Sequence, residues 1–284
     1  MKKLKKKEFP EHLLQIPDPP DQLYLEGTLP PAGSKILCVV GSRKNTQYGR
    51  DVCEKLISSL RGKHVSIVSG LALGIDTIAH KAALAAGLHT LAVPGSGLDR
   101  KVIYPHSNRR FADTILESGG GLLSEFDPDF TSIQWAFPKR NRIMAAMSHA
   151  VLIIEAERKS GTLITARLAS DYNKDVLVIP GSIFTKNSEG PHLLLRIGAT
   201  PITSVEDLHE ALGLGTLFDP ANRADRYDDC GDQEKLILEI LQDPQPRDEL
   251  IRALDIPTHE ANILLSLLEM KGHIKESLGQ VRLT

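Results

Sequence analysis

The sequence predicts a doubly wound, mostly parallel α/β sheet followed by a small C-terminal winged-helix domain, and three observations carry that expectation. From Lys35 onward, short apolar runs rich in Val, Ile and Leu alternate with segments of helical periodicity. That is the pattern of strands buried on both faces between crossover helices. The runs end in small residues, where a parallel sheet presents its ligand-binding edge. Past a polar stretch the chain restarts with three helical segments and two short terminal strands.

Residues 1–34 form a Pro-rich lead-in. Met1-Lys2-Lys3-Leu4-Lys5-Lys6-Lys7 is basic but lacks the apolar stretch of a secretory signal. Phe9-Pro10, Ile16-Pro17-Asp18-Pro19-Pro20 and Leu23–Gly27 then suggest a segment wrapping the next domain in extended form. Residues 35–212 carry the sheet. Strands are predicted at Ile36–Val40, Val65–Val68, His89–Val93, Gly121–Phe126, Val151–Ile154 and Val176–Ile179. Helices are predicted at Arg50–Leu60, Ile75–Ala86, Asn108–Glu117, Arg140–Ser148 and Thr162–Tyr172, none with an internal proline. Residues 213–232, with Asp219-Pro220 and Asp225–Asp229, read as a linker. Residues 233–284 read as the winged helix. Its helices are Glu234–Leu241, Arg247–Leu254 and Thr258–Met270, the last with Ile263, Leu264, Leu267 and Leu268 on its apolar side, and a hairpin turns near Leu278-Gly279.

Composition excludes several classes. At 41% hydrophobic and 25% charged, the 284-residue chain has ordinary globular character. No apolar run approaches the ~20 residues needed to span a bilayer, so a cytoplasmic protein without membrane partners is expected. Cys38, Cys53 and Cys230 have no metal-like spacing, and Cys38, within an apolar run, reads as a buried free thiol in a reducing compartment. No metal and no cofactor are expected. The net charge of −2 gives no global support for nucleic-acid binding, so any such site must be a local patch. Residues 233–284 hold six Lys or Arg against nine Asp or Glu. An acidic winged helix is a poor main contact for DNA and suits protein interaction or packing.

The strand-end loops carry the chemistry. Gly41-Ser42-Arg43-Lys44 is not G-x-G-x-x-G, and Lys159-Ser160-Gly161-Thr162 places its lysine before the glycine, so no dinucleotide or Walker signature is met. Two loops precede helices and offer backbone N–H groups to an anion: Ser69-Gly70-Leu71-Ala72-Leu73-Gly74-Ile75-Asp76 and Ser160-Gly161-Thr162. Ordinary capping by Ser160 or Thr162 accounts for the second equally well. The richest segment is Phe137-Pro138-Lys139-Arg140-Asn141-Arg142-Ile143-Met144. Three cations at a helix N-terminus oppose the dipole, which an anionic ligand explains and a solvated basic face explains less well. Arg43 points to the same edge. Phe137 and Trp135 are the nearest aromatics for stacking on bases, although burial against the sheet is the preferred reading of Trp135.

Taken together, these motifs resemble the DprA/Smf family of bacterial DNA-processing proteins. The matching stretches are Val40–Arg43, Ser69–Asp76 with Ala79-His80, Tyr104-Pro105, Ser124–Phe126, Phe137–Ile143, Ser160–Ala166 and Val178–Gly181, in order across residues 9–212. The resemblance implies a Rossmann-like homodimer that binds and protects single-stranded DNA and helps load the recombinase RecA during natural transformation. Carried over by motif, the DNA pocket uses Arg43, Ser69, Gly70, Lys139, Arg140, Asn141, Arg142, Ser160, Gly161 and Thr162. In that reading Arg43 and Lys139 pair with phosphates, and Asn141 either contacts DNA or fixes the loop. No catalytic residue is expected. The rival is a nucleoside phosphoribohydrolase of the LOG type, whose motif places a carboxylate where this chain has Thr165; without it, charge developing at a ribose carbon lacks a partner. A winged-helix transcription regulator is a third reading, and it conflicts with the acidic tail.

Overall fold

The computed structural model describes residues 1–214, 230–241, 245–254, 256–277 and 279–283. The chain forms two units, Met1–Thr216 and Leu217–Thr284. In chain order the strands of the first unit are β1 (Lys2–Lys3), β2 (Tyr24–Gly27), β3 (Lys35–Val40), β4 (Val65–Ser69), β5 (His89–Ala92), β6 (Gly121–Ser124), β7 (Ala150–Ile153), β8 (Asp175–Val178) and β9 (Thr200–Pro201). Its helices are α1 (Glu11–Leu14), α2 (Gln47–Ser58), α3 (Ile75–Ala85), α4 (Arg109–Glu117), α5 (Ala136–Met147), α6 (Thr162–Asp171), α7 (Glu189–Arg196) and α8 (Val205–Ala211).

The strands make one sheet in the order β1-β2-β6-β5-β4-β3-β7-β8-β9. Pairing is parallel from β6 to β9 and antiparallel for β1 and β2. Alternation along β3 shows how the sequence produces two covered faces. Leu37 and Val39 pack with Cys53, Leu56 and Ile57 of α2 and Ile78 and Ala79 of α3. Cys38 and Val40 pack with Ile143 and Ala146 of α5 and Ala166 and Ala169 of α6. A strand apolar at every position is stable only when helices cover both sides. Cys38 is a buried thiol, as expected, and burial pushes its pKa upward.

The lead-in departs from the extended wrap expected of it. Its apolar residues are spaced to reach the core, so Leu4, Phe9, Leu13, Ile16 and Leu23 are buried, part of the segment is helical as α1, and β2 pairs with β6. Covering β6 in this way leaves a shorter exposed edge. Helix α5 also differs: it starts at Ala136, four residues before the expected Arg140, and takes Pro138 into its first turn. A proline is tolerated there because the amide it lacks would have no helical acceptor. The linker expected over 213–232 falls largely on residues 215–229, which lie outside the described residues.

In the second unit, α9 (Asp232–Ile240), β10 (Gln245–Pro246), α10 (Arg247–Ala253), α11 (Thr258–Met270), β11 (Ile274–Ser277) and β12 (Gln280–Leu283) form three helices and a three-stranded sheet ordered β10-β12-β11. Its core includes Ile237, Leu238, Leu250, Ala261, Leu265, Leu268, Ile274 and Val281. The buried stripe of α11 is therefore Ala261, Leu265 and Leu268, while Ile263 and Leu267 face solvent. The helix is turned from the expected phase because five apolar residues in the six from Ile263 to Leu268 do not define one side. Among the described residues no helix is long and apolar enough to cross a membrane, and no group of His, Cys, Asp or Glu is placed to hold a metal.

Candidate functional site

Strand order reverses at β3, whose neighbours are β4 on one side and β7 on the other. The chains leaving the carboxyl ends of β3 and β7 diverge and open a crevice, the usual ligand position in an open α/β sheet. A cavity of about 480 Å³ occupies it. Its walls come from the β3 exit (Gly41–Lys44), the start of α3, the first turns of α5 and the β7–α6 loop with the start of α6.

The β3 exit is held by the chain that leads into α3. Gly74 has φ +76°, and a Cβ there would overlap the Ser42 carbonyl and Arg43 backbone. Only glycine permits that approach. Ile75 N–H then donates to Ser42 O at 3.2 Å. With its backbone so fixed, Arg43 stays exposed and lies over the Phe137 ring, 5.3 Å from the centroid.

The Ser69–Asp76 loop does not offer the free cradle that its sequence suggests. Gly70 N–H donates to the Asp76 carboxylate at 3.1 Å, and Ser69 Oγ donates to Val39 O at 2.6 Å. A side-chain carboxylate thus takes a donor that an anionic ligand would need. Burial pushes the Asp76 carboxyl upward in pKa, opposed by the Arg140 guanidinium nearby.

The three cations of α5 take three different courses. Arg140 is only 4% exposed and lies at the crevice floor. Its Nη1 donates to Gly70 O at 2.6 Å and to Val93 O, and its Nε to Asn141 Oδ1 at 3.1 Å. Burial pushes its pKa down to about 10, which leaves it cationic at neutral pH. Arg142 is buried against Glu125 through Nη2, with Asp18 of the lead-in 3.1 Å from Nε. Lys139 is part-exposed, 3.7 Å from Glu125, and lies over the Trp135 ring. Neither Lys139 nor Arg142 lines the crevice, and neither do Ser69 and Gly70. The dipole opposition expected of these cations also weakens: helix α5 begins at Ala136, so Lys139 closes the first turn and Arg140 and Arg142 lie beyond it, where the effect has faded.

The remaining expected residues do converge. Asn141 lines the cavity, and its Nδ2 reaches Gly161 O at 3.5 Å, tying α5 to the β7–α6 loop. Ser160 Oγ accepts from Thr162 N–H at 3.2 Å and donates to Thr162 Oγ1 at 3.0 Å, so local capping occupies part of this helix start. Thr162 Oγ1 in turn donates to Gly41 O at 3.3 Å, bridging the two sides. Thr165, at the position of the rival enzyme's carboxylate, is buried in the cavity lining.

Lys44, Lys159 and Glu157 were not foreseen as lining residues, yet all three line the crevice and are exposed. For the lysines the signal was adjacency: Lys44 follows Arg43 and Lys159 precedes Ser160. With Arg43 and Arg140 they make four cationic side chains against two carboxylates, Asp76 and Glu157. Trp135, expected to be buried, is 52% exposed, with a T-shaped contact to Phe126 and a tilted one to Phe130.

A parallel α/β sheet with a cation-rimmed crevice at its switch point defines a Rossmann-like protein equipped to hold an anionic ligand. The sequence model of the DNA recombination-mediator protein A family matches residues 1–213 and that of the DprA winged helix domain matches residues 220–280; the chain belongs to this family. Protein Smf of Escherichia coli (strain K12) is 36% identical over 272 residues, 94% of this chain and 72% of the relative. The crystal structure of DNA processing protein A (DprA) from Streptococcus pneumoniae superposes with a TM-score of 0.69 at 39% identity, covering 74% of this chain and 73% of that one. DprA from Helicobacter pylori, described as having a unique single-stranded DNA binding mode, superposes with a TM-score of 0.67 at 32% identity, covering 76% of this chain and 96% of that one. These matches bear out the family resemblance, the α/β fold and the C-terminal winged helix.

Proposed function

We propose that this chain binds single-stranded DNA at the switch-point crevice and acts as a DNA-processing protein in transformation and recombination, not as an enzyme. The observation that carries the reading is the pairing of Arg43 with Phe137 at the mouth of a crevice that also presents Lys44 and Lys159. A cation beside an aromatic face suits a nucleotide, whose phosphate and base need opposite surroundings. Within the proposed site, Arg43, Lys44 and Lys159 meet phosphates, while Asn141 and Ser160–Thr162 shape the wall. Arg140 and the Ser69–Gly70 turn hold the floor. Lys139 and Arg142 contribute from outside the cavity, Lys139 as a part-exposed charge and Arg142 as a strut.

The enzyme reading finds little support in the crevice. Thr165 is buried, Asp76 accepts a backbone N–H and faces Arg140, and Glu157 lies on the exposed rim. Incubation with nucleoside monophosphates is expected to release no free base, and release would favour the enzyme reading. The family resemblance adds a homodimer, delivery of DNA to RecA and a cytoplasmic location. Sedimentation and a RecA loading assay on coated strands test the first two.

The central test is a salt-series titration with single- and double-stranded oligonucleotides. Arg43→Ala is expected to weaken single-strand binding and to flatten the slope of log K against log salt by about 0.7, the value for one phosphate contact on a single strand. Duplex should bind more weakly than single strand. An unchanged slope and affinity in a folded Arg43→Ala protein would remove the crevice from the reading.

A further inference from the structure

Arg43 and Phe137 belong to two cavities at once. They also line a second cavity of about 500 Å³, which Lys159 and Thr162 do not reach and whose walls include Lys101, Tyr104, His106 and Thr131–Gln134. Its chemistry repeats that of the first in a different form. Tyr104 is 43% exposed, with its ring 5.8 Å from Phe137 and 6.2 Å from His106. Lys101 is well exposed, and its ion-pair contact with Asp99 is long, at 3.9 Å. Ser132 and Gln134 add polar side chains to the same lining.

We propose that this groove is a second nucleotide subsite, in which a base stacks on Tyr104 and its phosphate lies between Arg43 and Lys101. The proposal rests on the reading of the first crevice as a single-strand site and extends it by naming the strand's way out. A strand seated in the first crevice must leave it, and the Arg43–Phe137 lip is shared by both cavities. Tyr104 and Phe137 are inclined at 56°, which leaves no parallel slot between them. The base therefore takes the outer face of Tyr104, where Gln134 and Ser132 meet its edge. Stacking of this kind tolerates any base, because every base has a π-face.

The test uses the full chain, oligothymidylates of increasing length, and a long oligonucleotide carrying one abasic position moved stepwise along it. Anisotropy titrations at several salt concentrations give affinity and slope. Tyr104→Leu is expected to weaken long oligonucleotides about tenfold, within the range for one lost stack. That loss disappears for oligonucleotides too short to leave the first crevice. Tyr104→Phe, which keeps the ring, restores most of the affinity. Lys101→Gln, an exposed change, lowers the salt slope by about 0.7 on long oligonucleotides. The abasic penalty at one position of the parent complex vanishes in Tyr104→Leu. The proposal is overturned if Tyr104→Leu and Lys101→Gln bind every length as the parent does while Lys44→Ala and Lys159→Ala bind weakly. If those two lysine variants also bind as the parent does, the first crevice fails as well, so the two failures are distinguishable. A loss in Tyr104→Phe equal to that in Tyr104→Leu would assign the effect to the hydroxyl and overturn stacking.

Discussion

Replacing Arg140 by methionine separates an internal strut from a DNA contact. The side chain is almost fully enclosed, and its Nη1 donates to Gly70 O and Val93 O. Each carbonyl would lose a bond from a charged donor, about 1.5 to 3 kcal/mol apiece. Burial of the added methionine surface returns part of that loss. The expected net destabilisation is about 4 kcal/mol, in line with removing one member of a buried charged group. For a domain of this size, that lowers Tm by about 10 °C. The deficit should also depend on pH. Without Arg140, the folded-state pKa of Asp76, already raised by burial, rises further above its unfolded value. A carboxyl shifted in that sense stabilises the fold only while protonated, so the deficit grows as pH rises through the acid range. Urea titrations of parent and variant at pH 5 and pH 7, with DNA binding measured on the folded fraction, are the assay. If Arg140→Met unfolds at the parent's urea midpoint but binds DNA with a reduced salt slope, the guanidinium faces the ligand and the strut assignment is wrong.

Two further outcomes follow from buried charge. His80 is fully buried, with Nδ1 2.7 Å from Thr90 Oγ1, and burial pushes its pKa from 6.5 down to about 3. Its folded pKa is depressed, so between those values the unfolded chain binds the extra proton and stability falls as pH falls. From pH 7 to pH 5 the His80 contribution is about 2 kcal/mol. His80→Gln should flatten that limb of a urea-midpoint profile, leaving a residue from His89, His149 and His209, which burial shifts the same way. For the Arg142–Glu125 pair, Arg142→Met alone should cost about 3 kcal/mol because it leaves a buried carboxylate with only the longer contact to Lys139, and Glu125→Gln should recover part of that in the double variant. Additive urea midpoints would show that the two side chains do not act as a pair.

The fold was legible in the sequence to the degree that its elements are buried uniformly. The six apolar runs became the six central strands because a strand covered on both sides must be apolar throughout, and the loop residues between them limited where it could end. The elements that were missed have weaker local signals. Strands β1 and β9 are two residues long, and β2 lies beside the edge strand β1, where burial is partial. The α11 stripe was misplaced because its apolar residues nearly surround the helix, and only packing against Ile237, Leu250 and Ile274 selects a side.

At the site, the sequence by itself determined that Arg43, the Phe137–Arg142 segment and Ser160–Thr162 come to one sheet edge, since strand ends in a parallel sheet converge there by topology. It could not assign each cation a direction. Neighbours on a helix diverge by about 100°, so Arg140 turns to the crevice floor, whereas Lys139 and Arg142, three residues apart and on one face, share Glu125, Arg142 buried against it and Lys139 lying over the Trp135 ring. Only the packed structure decides which charge meets a ligand, because only there are the competing partners present. Val93 O and Gly70 O take Arg140, Asp76 takes the Gly70 amide, and Arg43, lying over Phe137 beside Lys44 and Lys159, is left at the mouth of the crevice.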